Sequence, residues 1–313
     1  MPSLTTGDAQ NQLPAGLSSG NFHIGTYSGQ VYALTIAQGT DRWVYPRTGS
    51  IGAIVGSPVV ANKTVYISSS DSTVYALDTT YGDLKWKFEI LDEKGQRHEK
   101  LWTSPVVHDG VVYVSTFDGH IYALSAETGE LDWSFESEAG FASSPVIYED
   151  TIFLGSFDRH LYAVQIGSNV SKWRFPQEKP AGNWFWAAPI VNEGIVYAGC
   201  LDGKLYAIEA ETGEKLWESD AGKPIVSSPV LVDNLLIVAN EAGNVYIINP
   251  ETGAGERIRN PENGDKPTIN DQIRASLCAH EGLVYIRDEK NQLYIVDIEL
   301  RKVSWPILLT KEE

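Results

Sequence analysis

Seven tyrosines recur in one local sequence context at spacings of 40 to 48 residues, and this repeat constrains the fold more than any other feature. Each tyrosine follows a turn and then a β-branched residue or a leucine. A tryptophan stands eleven residues after six of them, and a Ser-Pro or Ala-Pro pair stands eighteen residues before five of them. The tyrosines are Tyr32, Tyr75, Tyr122, Tyr162, Tyr206, Tyr246 and Tyr294.

Each repeat contains four short apolar segments separated by turn signals, which predicts four antiparallel strands. Asp-Gly or an equivalent pair joins the second and third segments, and Glu-Thr-Gly commonly joins the third and fourth. Four strands in about 40–50 residues is typical of a β-propeller blade. The sequence therefore predicts an all-β, seven-bladed β-propeller over residues 14–309, between a tail at 1–13 and a tail at 310–313. Since both ends carry whole repeats, no strand exchange is expected, and the contact of blades one and seven is expected to be the weakest.

The repeated tryptophans are predicted to dock each fourth strand against a neighbouring blade, because apolar residues at repeated positions usually belong to a core. Arg257 takes this place in the sixth repeat and is interpreted as a residue that packs its aliphatic stem. The docking residues are Trp43, Trp86, Trp133, Trp173, Trp217 and Trp305.

A candidate binding site comes from the position twenty residues before each tyrosine, which should lie near one mouth of the central channel. Two tryptophans and an arginine stand there among small, aliphatic or amide residues, and further aromatic and amide residues are close in sequence. Aromatic side chains with an arginine suit a protein loop, a planar ligand or a carbohydrate; the alternative is that the tryptophans only plug the channel. The residues one position earlier are uniformly apolar and are expected to be core. The candidate binding residues are Trp102, Trp184, Trp186, Arg274, Phe141 and Gln272.

Composition limits the partners and the compartment. Lys and Arg number 24 against 41 Asp and Glu, so the net charge is −17, which disfavours nucleic acid and anionic membranes as partners. No apolar run reaches the roughly 18 residues of a membrane span. The polar N-terminus shows no signal peptide; a trimmed signal would favour the cell envelope or the extracellular space, and otherwise the cytoplasm is expected. We expect a monomer with protein partners.

The motif Asp118-Gly119-x-Ile121-Tyr122-Ala123-Leu124-x-Ala126-Glu127-Thr128-Gly129-x-x-x-Trp133 resembles the PQQ-type propeller repeat, and the resemblance covers nearly the whole chain. It implies a family that includes quinoprotein dehydrogenases and non-catalytic members, among them the BamB scaffold of outer-membrane assembly. In the dehydrogenases, the resemblance implies a quinone over a tryptophan, a covering pair of adjacent cysteines, and Ca²⁺ held by Glu and Asn. Cys200 and Cys278 are not adjacent, and no such Glu and Asn set can be matched.

The sequence therefore predicts a non-catalytic, BamB-like scaffold for protein–protein interaction, with no cofactor and no catalytic residues. His120 and His160 hold equivalent places in adjacent repeats but lack a third ligand of recognisable spacing, so no metal site is predicted. Two alternatives stay open: an enzyme that binds PQQ or another small molecule, and a ligand-sensing domain of a larger receptor.

Overall fold

The protein is represented by a computed structural model, which describes residues 16–18, 20–37, 39–91, 94–97, 101–259, 267–304 and 306–308. Over these residues the chain forms twenty-nine strands and no helix. In the same described part of the chain, no helix is long and apolar enough to cross a membrane. The strands build seven antiparallel sheets, each made of strands consecutive in sequence. The predicted fold is confirmed, since these are the seven blades of a β-propeller with four strands per blade.

The chain divides into two compact units, and the first unit (Pro14–Ala188) contains four blades. Each blade is a meander in which every strand pairs with the next one along the chain. The strands are β1 (Gly16–Ser18), β2 (Asn21–Gly25), β3 (Val31–Thr35), β4 (Asp41–Tyr45), β5 (Val59–Ala61), β6 (Thr64–Ser69), β7 (Thr73–Asp78), β8 (Leu84–Glu89), β9 (Val106–His108), β10 (Val111–Ser115), β11 (His120–Ser125), β12 (Leu131–Glu136), β13 (Val146–Tyr148), β14 (Thr151–Gly155), β15 (Leu161–Gln165) and β16 (Ser171–Phe175).

The second unit (Pro189–Glu313) contains three blades with the same order. In its last blade, two short strands share the place of the fourth strand, and both pair with β27. The strands are β17 (Ile190–Asn192), β18 (Ile195–Gly199), β19 (Lys204–Glu209), β20 (Lys215–Asp220), β21 (Val230–Val232), β22 (Leu235–Ala239), β23 (Val245–Ile248), β24 (Gly255–Arg257), β25 (Cys278–His280), β26 (Leu283–Arg287), β27 (Gln292–Asp297), β28 (Lys302–Val303) and β29 (Ile307–Leu308).

The second and third strands carry most of the buried residues of a blade, most completely in the second blade. All six residues of β6 are buried, and so are the first five of β7. The first strands of successive blades contact one another, β1 with β5, β5 with β9, and β9 with β13. The first strand is therefore the inner strand of a blade, and the fourth is the outer strand.

A β-bulge lies at the same repeat position in five blades, between the third and fourth strands, and sequence analysis did not predict it. In the second blade the pairing shifts between Ala76 and Leu77, so Ala76 stands opposite Trp86. The bulge adds one residue to the fourth strand and bends it. Equivalent shifts occur after Ala33, Ala123, Ala163 and Ala207.

Tryptophan docking between blades is confirmed within the units. The indole Nε1–H of Trp86 donates to the carbonyl of Ala126 in the next blade, at 3.0 Å. The indole ring lies on Gly129 so closely that an added Cβ there would stand 2.6 Å from it, which explains why this turn needs glycine. Trp43 and Trp217 make the equivalent contacts with the next blade. Trp173 is buried and packs against Phe153, while Trp305 lies outside the described residues.

Trp133 is docked less completely than its counterparts. The position of the docking glycine in the next blade is taken by Asn169. The indole Nε1 of Trp133 is buried and has no hydrogen-bond partner among the described residues. Because a buried N–H without an acceptor costs free energy, the lack of glycine and the lack of the hydrogen bond weaken the same contact.

The interpretation of Arg257 as the residue at the docking position is wrong. The sixth blade has no bulge, so Arg257 stands opposite Tyr246, and Glu256 stands opposite Ile247. A one-residue shift turns a side chain to the other face of a strand, so Glu256 occupies the docking position. Its carboxylate pairs with Arg301, which holds the place of the docking glycine in the last blade. An ion pair therefore replaces the tryptophan and the glycine together.

Candidate functional site

Serine hydrogen bonds link the inner strands of neighbouring blades in the first unit, next to the loops that carry the candidate site residues. The N–H of Ser57 donates to Oγ of Ser104 at 2.8 Å, and the N–H of Ser104 donates to Oγ of Ser144 at 2.9 Å. Each hydroxyl therefore joins one blade to the next. This explains the serine of the Ser-Pro pairs, and it fixes the backbone that carries the preceding residues.

Three large apolar residues anchor the loops that enter these strands. Leu101, Phe141 and Phe185 each have a fully buried side chain. The core expectation for this repeat position is confirmed, and it corrects the choice of Phe141 as a binding residue, because a side chain without exposed surface cannot touch an external ligand. Phe185 approaches β14 closely, since a Cβ at Gly155 would lie 1.9 Å from the Phe185 carbonyl oxygen.

Five aromatic side chains of the first unit form one continuous group, called the aromatic cluster below. Phe157 is its centre, with ring centroids 5.2 Å from Phe117, 5.4 Å from Trp184 and 6.1 Å from Trp186. Trp102 joins through Phe117, at 5.2 Å. All four pairs are edge-to-face, which is a favoured arrangement for aromatic rings. The structure thus brings Trp102, Trp184 and Trp186 into one group of rings, and their role in binding stays a prediction.

The rings are packed yet remain accessible. Trp184 keeps 40% of its surface exposed, and the other four rings are half-buried. Trp184 and Trp186 flank the buried Phe185, and both indoles contact the ring of Phe157. Asn183 Oδ1 accepts the backbone N–H of Trp184 at 2.9 Å, and the N–H of Ala181 donates to the carbonyl of Arg159. These bonds fix the loop that presents the two tryptophans.

Phe117 and Phe157 were missed by sequence analysis. Both stand five residues before the repeat tyrosine, in the turn between the second and third strands. The available signal was the Phe-Asp pair that occurs in two consecutive repeats, since a large apolar residue is unusual in a tight turn. The same position holds Tyr27 in the first blade, and Tyr27 is exposed.

In each of the two turns that carry these phenylalanines, an aspartate lies close to a histidine. Asp118 lies 3.1 Å from Nδ1 of His120, and Asp158 lies 3.2 Å from Nδ1 of His160. Asp158 also accepts the hydroxyl of Tyr162 at 2.6 Å. Burial and this hydrogen bond to a carboxylate raise the pKa of Tyr162 to about 12.

In the second unit three of the five corresponding positions carry charges. Arg274 donates to Glu241 through two nitrogens, at 2.9 and 2.6 Å, and it pairs with Glu289 at 3.1 Å. Glu241 and Glu289 occupy the repeat position of Phe117 and Phe157, five residues before the tyrosine. Gln272 is exposed, and its carbonyl accepts the N–H of Glu289. The guanidinium of Arg274 is therefore paired with two carboxylates of its own unit.

The residues that the family resemblance implies for a quinone do not fit this chain. Cys200 is buried, Cys278 is partly buried, and both are free thiols rather than a covering disulfide. Burial raises the pKa of the Cys278 thiol. Within the described ranges, no group of three or more His, Cys, Asp or Glu residues could hold a metal ion.

Solved structures with the same fold are numerous, and three illustrate their range. BamB from Moraxella catarrhalis is 19% identical, with a TM-score of 0.68 over 88% of this chain and 81% of its own. The computationally designed Ika8 protein is 16% identical, with a TM-score of 0.75 over 94% of this chain and 85% of its own. Quinohemoprotein alcohol dehydrogenase from Comamonas testosteroni is 13% identical, with a TM-score of 0.69 over 91% of this chain and 65% of its own. At these identities the likeness shows the fold alone.

Sequence comparison with protein families is more specific. No curated protein matches the sequence. One family model matches residues 5–99 and 90–306, so it spans nearly all seven repeats. The chain therefore belongs to the PQQ-type repeat family that is described as outer membrane protein assembly factor BamB.

Proposed function

We propose that this protein is a non-catalytic scaffold that binds other proteins through the aromatic cluster. The observation that carries the proposal is the continuous, partly exposed group of five rings centred on Phe157. Aromatic side chains dominate the binding energy of many protein interfaces, because a buried ring contributes a large area at a small entropic cost.

The surroundings of the cluster favour a binding role. The rings stand on turns and loops that are fixed by buried anchors and backbone hydrogen bonds, so little conformational freedom is lost when a partner docks. None of the five side chains can donate a proton or act as a nucleophile. The family description also names an assembly factor, and assembly requires contact with other proteins.

Site-specific photo-crosslinking in the native host tests this proposal. A photoreactive phenylalanine analogue placed at Trp184 should give a discrete protein adduct. The same analogue at Tyr81, an exposed tyrosine in the turn between β7 and β8, is the matched control and should give none. Equal adducts at both positions, or no adduct at Trp184, would contradict the proposal.

A quinone-dependent enzyme is the second candidate, since quinohemoprotein alcohol dehydrogenase has the same fold. Titration of the protein with PQQ, with and without Ca²⁺, separates the two candidates. We expect no spectral change and no shift of the melting temperature. A saturable shift in either signal would favour the enzyme.

A further inference from the structure

Acidic residues adjoin the rings at the centre of the aromatic cluster. Asp118 directly follows Phe117, and Asp158 directly follows Phe157. Glu138 is exposed in the loop that reaches Gly140, whose carbonyl accepts the N–H of Phe157 at 2.9 Å. Residues 116–120, 137–142 and 156–160 therefore hold three carboxylates, two histidines and a single Lys or Arg residue, Arg159.

The contacts of Asp158 favour its ionised form. Burial of Asp158 opposes ionisation, but the hydroxyl of Tyr162, the N–H of His160 and the imidazole of His160 together hold its pKa below the usual range. Asp118 lies beside the imidazole of His120, at 3.1 Å. The carboxylates therefore keep a negative field next to the rings, in a chain whose net charge is −17.

Aromatic faces and carboxylates in one place are complementary to a planar cation. A guanidinium group stacks on an indole ring and donates paired hydrogen bonds to a carboxylate, whereas an ammonium group offers only a point charge. Trp184 has the ring surface for such stacking. We infer that the aromatic cluster selects a positively charged, arginine-bearing segment of the partner protein, an inference that rests on the proposed scaffold function and specifies its partner.

Other partner chemistries fit less well. An acidic segment would bring like charges beside Asp118, Asp158 and Glu138, which costs free energy. A purely apolar segment would cover the rings but would also take the exposed carboxylate of Glu138 out of water without supplying a hydrogen-bond partner. A basic segment provides cations that can stack on the rings and pair with the carboxylates.

Fluorescence anisotropy with labelled peptides of defined sequence tests the inference. The probe is a decapeptide of alternating Gly and Arg, and the comparison peptides alternate Gly with Lys, Ser or Glu. Measurements at 50 and 300 mM NaCl give the salt dependence. The protein variants are Trp184→Ala and Glu138→Gln, with Tyr81→Ala as an exposed aromatic control outside the cluster.

We expect the Arg peptide to bind more tightly than the Lys peptide, and the Ser and Glu peptides to bind weakest. Trp184→Ala should weaken binding of the Arg peptide about fivefold, and Glu138→Gln about twofold at low salt. Tyr81→Ala should leave binding unchanged. Equal affinity for the Arg and Ser peptides, no binding of the Arg peptide, or no effect of Trp184→Ala would overturn the inference. A Trp184-dependent preference for the Ser peptide would leave the scaffold function standing, whereas failure of the crosslink at Trp184 would remove the scaffold function as well.

Discussion

In the second unit, the fourth strand of one blade contacts the next blade either through a tryptophan or through an ion pair. We predict that the two contacts contribute different amounts to the unfolding free energy. Trp217 covers Gly253 of the next blade and donates its indole N–H to the carbonyl of Pro250 at 2.9 Å. Truncating a packed tryptophan to alanine costs about 3–5 kcal/mol of unfolding free energy. Because Trp217 is half-buried rather than fully buried, Trp217→Ala should cost about 3 kcal/mol, near the lower limit.

The equivalent contact of the following blade should contribute far less. Glu256 and Arg301 form an ion pair whose side chains are 58% and 57% exposed. An exposed ion pair contributes about 1 kcal/mol or less, and salt screens it. Glu256→Ala should therefore lower the unfolding free energy by less than about 1 kcal/mol, so the two variants should differ by about 2 kcal/mol.

Urea unfolding followed by far-UV circular dichroism measures the difference without relying on tryptophan emission. The midpoint should fall clearly for Trp217→Ala and slightly for Glu256→Ala, and the small effect of Glu256→Ala should disappear at 1 M NaCl. Leu216→Ala is the control, since Leu216 is exposed on the same strand as Trp217. A fall for Glu256→Ala as large as that for Trp217→Ala would refute the argument that the ion pair is a weak substitute.

Three further outcomes follow from contacts of the first unit. Trp86→Phe should lower the unfolding free energy by about 1 kcal/mol more than Trp133→Phe, because only Trp86 loses a hydrogen bond, and urea unfolding of both variants checks the sign. Ser104→Ala removes the acceptor of the Ser57 N–H and should cost about 1–2 kcal/mol in the same assay, with no change in far-UV spectrum. The pKa of Asp158 is lowered in the folded state, so its contribution to stability is complete above the unfolded pKa of about 3.9 and is lost as pH falls through the folded pKa. Unfolding free energy should therefore decline less steeply below pH 4 in Asp158→Asn than in the wild type.

The repeat made the fold predictable because equivalent positions meet equivalent surroundings. Leu101, Phe141 and Phe185 are buried at one repeat position, as their uniform apolar character predicted. Trp43 and Trp86 dock on a glycine of the next blade in the same way. A residue type that recurs at one position in most repeats predicts its structural role there, even though a single residue such as Trp133 is docked less completely.

The features that sequence analysis missed are those in which one repeat departs from the others. A count of eleven residues from Tyr246 reaches Arg257, but the missing bulge moves Glu256 into the docking position. Spacing cannot reveal a bulge, because the extra residue is taken up within the strand pairing rather than in the loop length. Phe117 was missed for a related reason, since its repeat position holds a different residue type in most blades.

Two repeat positions hold residues that differ most from blade to blade, and these positions lie apart from the residues that join the blades. Among the described residues, those twenty and five before a repeat tyrosine lie in connections, where a side chain can leave the core while its neighbour stays buried, as Trp186 does beside Phe185. In the first unit these positions gather aromatic rings, and in the second unit they gather Arg274 with Glu241 and Glu289. Because the docking tryptophans and the inner serines join the blades, we expect a change of the exposed Trp184 ring to leave the fold intact. Substitutions in these connections therefore change the exposed chemistry of the protein without touching the residues that join the blades.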